Sequence, residues 1–365
     1  MHFPSTFCRH SGGEVIEDVW HFMDGRDARR GGRMRTDEAS QALARFISEQ
    51  TGADAEVHGL QRTPGGFSYE TWRLHATWTL RGERRSEELI MRKAPRGGNL
   101  EPYDASVEFR VLKALAGSAI PVPKVYWCDP QGAVFGTSFY LMEFVQGDVP
   151  LPWNDALPQE LRGEMHRQFT DILAALHTFD WEAKGLSFLG VPADTGDPAA
   201  LALDRCVEVL ERVKLRPHPV LREIIAYLRA RRPRSPQLCL IHDDYRMGNF
   251  IWKDGRIRAI LDWERVFIGD PMADIAFTRL AQLAGWCSIS GEMIARYTER
   301  SGIVVDEERV NYWLLVEQLK ANLVGLAGLK PFADGRTSDL RFVEIGRYVM
   351  GNTIPAAAES IGLGR

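Results

Sequence analysis

The chain is poor in the features that mark several classes of protein. Its five cysteines, Cys8, Cys128, Cys206, Cys239 and Cys287, are odd in number and include no CxxC pair. That argues against a disulfide framework or a thiolate zinc site and fits reduced thiols in the cytoplasm. No apolar run reaches the ~20 residues that cross a membrane. The opening residues MHFPSTFCRHSGGEVIED lack the apolar centre of a signal peptide. Lysine and arginine total 45 against 49 aspartates and glutamates, a net charge of -4. With no broad basic field, nucleic acid is a poor partner. There is no internal repeat and, beyond the N-terminal tail, no low-complexity tract. What is present is ordinary for a globular enzyme: 45% hydrophobic and 26% charged residues over 365 positions, enough for two lobes or domains.

The order of patterns along the chain points to a small β-rich lobe followed by a larger helical one. Residues 1–35, with the run GRDARRGGRMR, have almost nothing to bury and read as a mobile extension. TDEASQALARFISEQTG then has helical spacing, with Thr36 as its N-cap and Leu43, Phe46 and Ile47 as its buried stripe. VHGLQRT, FSYETWRLHATWTL and LIMRKA read as strands, with RGERRSEE as a polar turn between the last two. ASVEFRVLKAL is helical by spacing, Pro121 and Pro123 keep IPVPKVYWCD extended, and FGTSFYLMEFVQG reads as a strand ending at Gly147. The N-lobe is therefore expected over 36–145. From residue 146 to 365 helical patterns dominate: LPQELRGEMHRQFTDILAALHTF, ALALDRCVEVLERV, VLREIIAYLRARR, MADIAFTRLAQLAG, EMIARYTERSG, ERVNYWLLVEQLKANLVGLAG and DLRFVEIGRYVMGN.

One stretch breaks the helical half. HDDYRMGNF, residues 242–250, runs into IWKDGRIRAILDWE. Asp254-Gly255 suits a two-residue type I′ hairpin turn. Pairing outward from it sets Lys253 against Arg256, Ile251 against Arg258 and Asn249 against Ile260, with Asp262 a diagonal neighbour of Asn249 at roughly 7–8 Å. A carboxamide and a carboxylate so placed can share one Mg²⁺, which takes oxygen ligands and keeps substrate phosphates in its shell. Asp244 stands at the mouth of the same hairpin. An aspartate, an asparagine five residues on and a later aspartate have the spacing of a phosphoryl-transfer site.

These stretches, LIHDDYRMGNF and AILDWERVFIGDPMADIAF, resemble the aminoglycoside phosphotransferase/choline kinase-like family over roughly residues 37–350. The subgroup most similar is the kinase-like domain attached to some acyl-CoA dehydrogenases. The resemblance implies an α+β, protein-kinase-like two-lobed fold and transfer of the γ-phosphate of ATP, or of GTP, to a hydroxyl of a small molecule with Mg²⁺. Carried over by position, Asp244 would be the catalytic base or orienting carboxylate, Asn249 and Asp262 would hold Mg²⁺, Glu264 would lie near a second metal, and Asp274 would brace the loop. Asp243 departs from the pattern, standing where the family usually has glycine.

In the small lobe TPGGFSYET resembles the family's Gly-Gly-x-Ser-Asn loop, with Tyr69 in place of Asn; Gly65, Gly66, Phe67 and Ser68 would cover the phosphates. Taken alone, Gly65-Gly66 after Pro64 reads equally well as a hairpin turn. In IMRKAP, alternation lets only one of Arg92 and Lys93 face inward; the reading takes Arg92, with Glu108 as its ion partner, against two surface charges and a solvated helix face. LMEFVQG resembles the hinge, with Met142 behind the adenine and backbone groups of Glu143 and Val145 bonding it.

The bland readings stand beside these. His242 is taken as structural, Asp243 as a solvated or turn residue without a role, His166 and His177 as core or surface, and Trp72, Trp78 and Trp313 as core. Two rival functions remain: a pseudokinase-like module that binds nucleotide or metabolite without chemistry, and a metal-dependent hydrolase built on His242, Asp243, Asp244 and Asp262.

Overall fold

A computed structural model describes residues 36–63, 68–95, 102–149, 159–283, 289–338 and 340–363. The expected extension 1–35 and the loop residues Gly65, Gly66 and Phe67 lie outside them. Helix α1 (Thr36–Thr51) includes Thr36 within its first turn and buries Leu43, Phe46 and Ile47. Strands β1 (Ala55–Arg62), β2 (Glu70–Leu80) and β3 (Glu83–Lys93), helix α2 (Ala105–Leu115), and strands β4 (Val125–Asp129) and β5 (Phe139–Glu143) complete the first lobe. The sheet has the order β1-β2-β3-β5-β4 with every neighbouring pair antiparallel.

Alternation decides what each face of that sheet does. Leu89 and Met91 of β3 and Phe139 and Leu141 of β5 pack with Leu43 and Ile47 of α1 into one core. Tyr140 and Met142, one residue out of phase, join a second core with Val111 and Leu112 of α2. Arg92, opposite Tyr140 in the register, falls on that second face, which is the face toward the rest of the molecule.

The polar stretch RGERRSEE is not a long turn. Glu83 pairs with Leu80, and Arg81 and Gly82 turn the chain with φ of 52° and 80°. A two-residue turn with both φ positive matches the twist of the flanking strands, so the charged residues after it ride on an exposed strand. The strand expected to reach Gly147 ends at Glu143.

The second lobe holds helices α3 (Gln159–His177), α4 (Pro198–Val213) and α5 (Pro219–Ala230), then strands β6 (Cys239–Ile241), β7 (Phe250–Lys253), β8 (Arg256–Ile260) and β9 (Phe267–Gly269). Helices α6 (Met272–Leu283), α7 (Gly291–Ser301), α8 (Glu307–Ala333) and α9 (Leu340–Ser360) follow. The last two run past the expected ends, through Pro331 and Pro355. Residues 242–249 thus lie between β6 and the β7–β8 hairpin, and the turn 261–266 between that hairpin and β9.

Asp270 anchors this arrangement. It is 1% exposed; Oδ1 accepts the Met272 N–H at the start of α6 at 2.9 Å, and Oδ2 accepts Arg309 Nε at 3.0 Å. A second Arg309 nitrogen reaches Oδ1 and also donates to Ser235 Oγ at 3.1 Å. The two-point fit fixes α8 to α6, because a planar guanidinium matches a carboxylate in one orientation. Arg309→Met should strand the buried carboxylate and lower stability by about 3–5 kcal/mol, read as a shift of the guanidinium midpoint. An unshifted midpoint would contradict this account of the joint.

Candidate active site

The site is built where the loop 242–249, the turn 261–266 and the inner face of the small lobe meet. Asp274, 0% exposed at the start of α6, holds the loop backbone. Its Oδ2 accepts the His242 N–H at 2.9 Å and its Oδ1 the Asp243 N–H at 2.8 Å. His177 Nε2 lies 3.0 Å from the same Oδ2, and His177 Nδ1 lies 2.7 Å from the Tyr297 hydroxyl. A carboxylate has no proton to give, so Nε2 donates to it and Nδ1 is left to accept from Tyr297. His242 Nε2 is 2.9 Å from the Leu261 carbonyl, which ties the loop to the second turn.

On this frame Asp244 is fixed from two sides. Asn249 Nδ2 donates to Asp244 Oδ2 at 2.8 Å and to its carbonyl at 2.9 Å. Arg246 Nε donates to Oδ1 at 3.0 Å. Asp244 remains 19% exposed at its side chain, so solvent reaches it.

The hairpin that carries Asn249 and Asp262 differs from the expected register. Lys253 does pair with Arg256, but Ile251 faces Ala259 and Phe250 faces Ile260, with an irregularity between Ile251 and Trp252. The reason is burial: Ala259 and Ile260 are adjacent and both 0% exposed, and strict alternation cannot bury two neighbours. Arg258 is left outside the pairing. Asn249 consequently sits in a short 3₁₀ turn, Met247–Asn249, rather than in the strand. Its carbonyl accepts the Leu261 N–H at 2.8 Å. Asp262 lies just beyond, in the left-handed region at φ 60°.

Arg92 brings the lobes together. Its guanidinium reaches Asp262 Oδ1 at 2.8 Å, Glu264 at 3.3 Å and Glu108 at 3.7 Å. The ring of Tyr69 lies 5.1 Å away. Glu108, 2% exposed, is no solvated helix residue: its Oε1 accepts the Trp263 N–H at 3.0 Å. Lys93 points the other way and pairs with Glu70 at 2.9 Å. Burial, then the charges of Asp262 and Glu108, push the Glu264 carboxyl up to about 8, against the pull of Arg92 and a hydrogen bond from Ser68. Burial likewise raises Glu108, opposed by Arg92.

Met142 is 8% exposed between Ile90 and Val125, and Val145 follows the strand half-buried. Of the Glu143 backbone groups expected to bond the adenine, the amide is engaged, donating to the Lys124 carbonyl at 2.8 Å. Closing the edge of the sheet has first claim on that N–H.

Two residues given no role in the sequence are part of the frame. Asp243 is 4% exposed, not solvated, and has φ of 66°. Lys320 Nζ reaches its Oδ1 at 2.6 Å and Arg265 Nε its Oδ2 at 3.1 Å. Burial pushes its carboxyl up, but Arg265 and Lys320 outweigh that and hold it below the usual carboxylate range. His177 is buried in the Asp274 network rather than being a bystander. Glu317, Lys320, Arg265 and Tyr297 drew no attention in the sequence; a charged pair three residues apart inside the apolar run of α8 was the only available signal.

The profile of the phosphotransferase enzyme family, APH, matches residues 59–313. Acyl-CoA dehydrogenase family member 10 of Mus musculus is 31% identical over 202 residues, which is 53% of this chain and 18% of that protein. The chain thus spans less than a fifth of that relative's length. A candidate aminoglycoside phosphotransferase from Ralstonia eutropha superposes with a TM-score of 0.64 at 23% identity, over 88% of this chain and 97% of the other. The streptomycin-ATP-APH(2")-IIa ternary complex gives a TM-score of 0.52 at 13% identity, over 82% and 91%. At these identities the superpositions speak for the fold alone, a protein-kinase-like pair of lobes.

Glu264 carries its raised carboxyl proton into the folded state. The folded chain holds this proton more tightly than the unfolded chain does. Its contribution to stability is therefore complete below the ordinary 4.5 and is lost as pH rises toward about 8. Glu264→Gln should flatten that loss when denaturation midpoints are compared at pH values of about 5, 6.5 and 8. Parallel curves for the two proteins would contradict the assignment.

Proposed function

The chain belongs to the phosphotransferase enzyme family, and from that premise we propose that it transfers the γ-phosphate of ATP to a hydroxyl of a small molecule. The observation that carries the reading is the fixed Asp244. Its carboxylate is held by Asn249 and Arg246 while its backbone neighbours hang on Asp274. Phosphoryl transfer asks little covalent chemistry of the protein, so a rigidly positioned carboxylate and a cationic counterweight are the parts that matter.

In this reading Asp244 accepts a hydrogen bond from the acceptor hydroxyl, orients its oxygen and takes its proton as the bond to the γ-phosphorus forms and the bond from that phosphorus to the β–γ bridging oxygen breaks, releasing ADP. Arg92 turns toward phosphate oxygens, and the small-lobe loop, through Ser68, covers them. Met142 backs the adenine, and the Glu143 carbonyl and the Val145 backbone bond its edge, the Glu143 amide being held by the Lys124 carbonyl.

Magnesium fits the donor set. Among the described residues no three His, Cys, Asp or Glu side chains form a ready metal cage. Mg²⁺ does not ask for one, since it is usually held by one or two carboxylates together with substrate phosphates. Asp262 and the Asn249 amide oxygen are the ligands proposed; the Asn249 nitrogen is the end that bonds Asp244. When bound, the ion would neutralise the triphosphate and fix its geometry. ATP is preferred to GTP because the related APH(2")-IIa complex named above contains ATP.

The acceptor class stays broad: an aminoglycoside-like alcohol, or a hydroxyacyl or other metabolite as the acyl-CoA dehydrogenase relative suggests. Membership of the family is no evidence of antibiotic resistance. The free thiols of Cys128, Cys206 and Cys239 accord with a cytoplasmic location. A second reading, a binding module without chemistry, is favoured by one observation: Asp262 is engaged by Arg92 at 2.8 Å. A nucleotide has to break that contact.

A panel of candidate alcohols with Mg²⁺-ATP, read by ADP formation and product mass, tests the proposal. Asp244→Ala should cut transfer by about 10²–10⁴-fold and leave ATP affinity in place, and Asp262→Ala should weaken Mg²⁺-ATP binding. An Asp244→Ala protein of full activity would refute the assignment; tight ATP binding with no transfer to any acceptor would favour the binding module.

A further inference from the structure

Asp243 occupies a place where a side chain is costly. Its φ of 66° lies in the left-handed region that suits glycine, and it is 4% exposed. Yet its carboxylate is fully engaged. Lys320 Nζ lies 2.6 Å from Oδ1 and 2.9 Å from Glu317 Oε1. Arg265 reaches Asp243 Oδ2 at 3.1 Å and Glu317 Oε2 at 3.0 Å. Glu317 itself is 1% exposed. Two carboxylates and two cations thus close a ring in which each cation touches both acids.

The ring joins three separate parts of the chain. Asp243 immediately precedes Asp244. Arg265 belongs to the 3₁₀ turn Trp263–Arg265, whose preceding residue is Asp262. Glu317 and Lys320 are one turn apart on α8. Asp274 holds the backbone amide of Asp243; the ring holds its side chain.

We propose that the Asp243–Lys320–Glu317–Arg265 ring is a positioning device that sets the Asp244 loop and the Asp262 turn relative to each other by fixing both to α8. None of its members touches a reacting atom. The effect on turnover rests on the phosphotransfer reading; the effect on the loop does not.

Asparagine keeps the shape of aspartate and tolerates positive φ, so Asp243→Asn removes the charge with little disturbance of the backbone. It leaves Lys320 and Arg265 short of one counter-charge, and melting temperature should drop. The paired variant Asp243→Asn/Lys320→Met restores the charge balance without restoring the tie. The measurement is amide hydrogen exchange of the ligand-free protein over residues 241–250 and 261–266, beside melting temperature and ADP formation from Mg²⁺-ATP with an acceptor from the panel or with water. The paired variant should recover most of the melting temperature while exchange in the two segments stays about tenfold faster than in the parent. Its kcat should stay about 10²-fold lower, with the KM for ATP little changed. Recovery of loop exchange and kcat together with melting temperature would reduce the ring to charge balance and overturn the proposal. So would unchanged exchange in both variants. A parent protein that forms no ADP at all would count against the phosphotransfer reading, and the exchange result would still decide the role of the ring.

Discussion

The buried Asp274 carboxylate is the constraint on which the rest of the site depends. One side chain on α6 accepts the N–H groups of two consecutive loop residues, His242 and Asp243, and the imidazole of His177 from α3. Those amides face no water, and an unpaired buried N–H or carboxylate costs from one to several kcal/mol, on the order of a sizeable share of a domain's stability. The loop therefore has one arrangement in which all of these groups are satisfied. That arrangement puts Asp244 at the surface of the joint, its carboxylate turned outward and clasped by Asn249 and Arg246. Rigidity at Asp244 is a consequence of burial two atoms away from it.

The second organising feature is an imbalance. Arg92 faces Asp262, Glu264 and Glu108 within 3.7 Å. One guanidinium does not keep all three acids ionised: burial and the neighbouring carboxylates raise both glutamates. Such a cluster asks for additional positive charge. In the proposed function a divalent cation arriving with a nucleotide would relieve the acids and free the guanidinium for phosphate oxygens.

Much of this was legible before any coordinates. The two lobes follow from where strand patterns give way to helical ones, and Leu43, Phe46 and Ile47 are buried as their spacing requires. The HDDYRMGNF loop and the hairpin that follows it resemble a known family because their chemistry-bearing residues are close in sequence. What escaped notice was of two kinds. Local geometry departs from the pattern where burial overrides alternation: adjacent Ala259 and Ile260 are both inside, and Asn249 lies in a turn instead of a strand. Long-range polar partners were invisible because pattern reading pairs residues a few positions apart. Asp243 looked like a turn residue because Lys320 and Glu317 stand more than seventy positions away, and His177 looked idle because Asp274 lies on another helix. The Lys124 carbonyl's hold on the Glu143 amide is a further pairing that no local pattern announces.

The account turns on Asp262 and Asn249 sharing a cation next to the phosphates of a nucleotide. A crystal grown with Mn²⁺ and a non-hydrolysable ATP analogue, with the metal placed by its anomalous signal, asks that question directly. The account predicts a peak bound by Asp262 and the Asn249 amide oxygen, with Arg92 turned from Asp262 toward phosphate. A nucleotide bound elsewhere, or a peak remote from both residues with Arg92 still on Asp262, would contradict it.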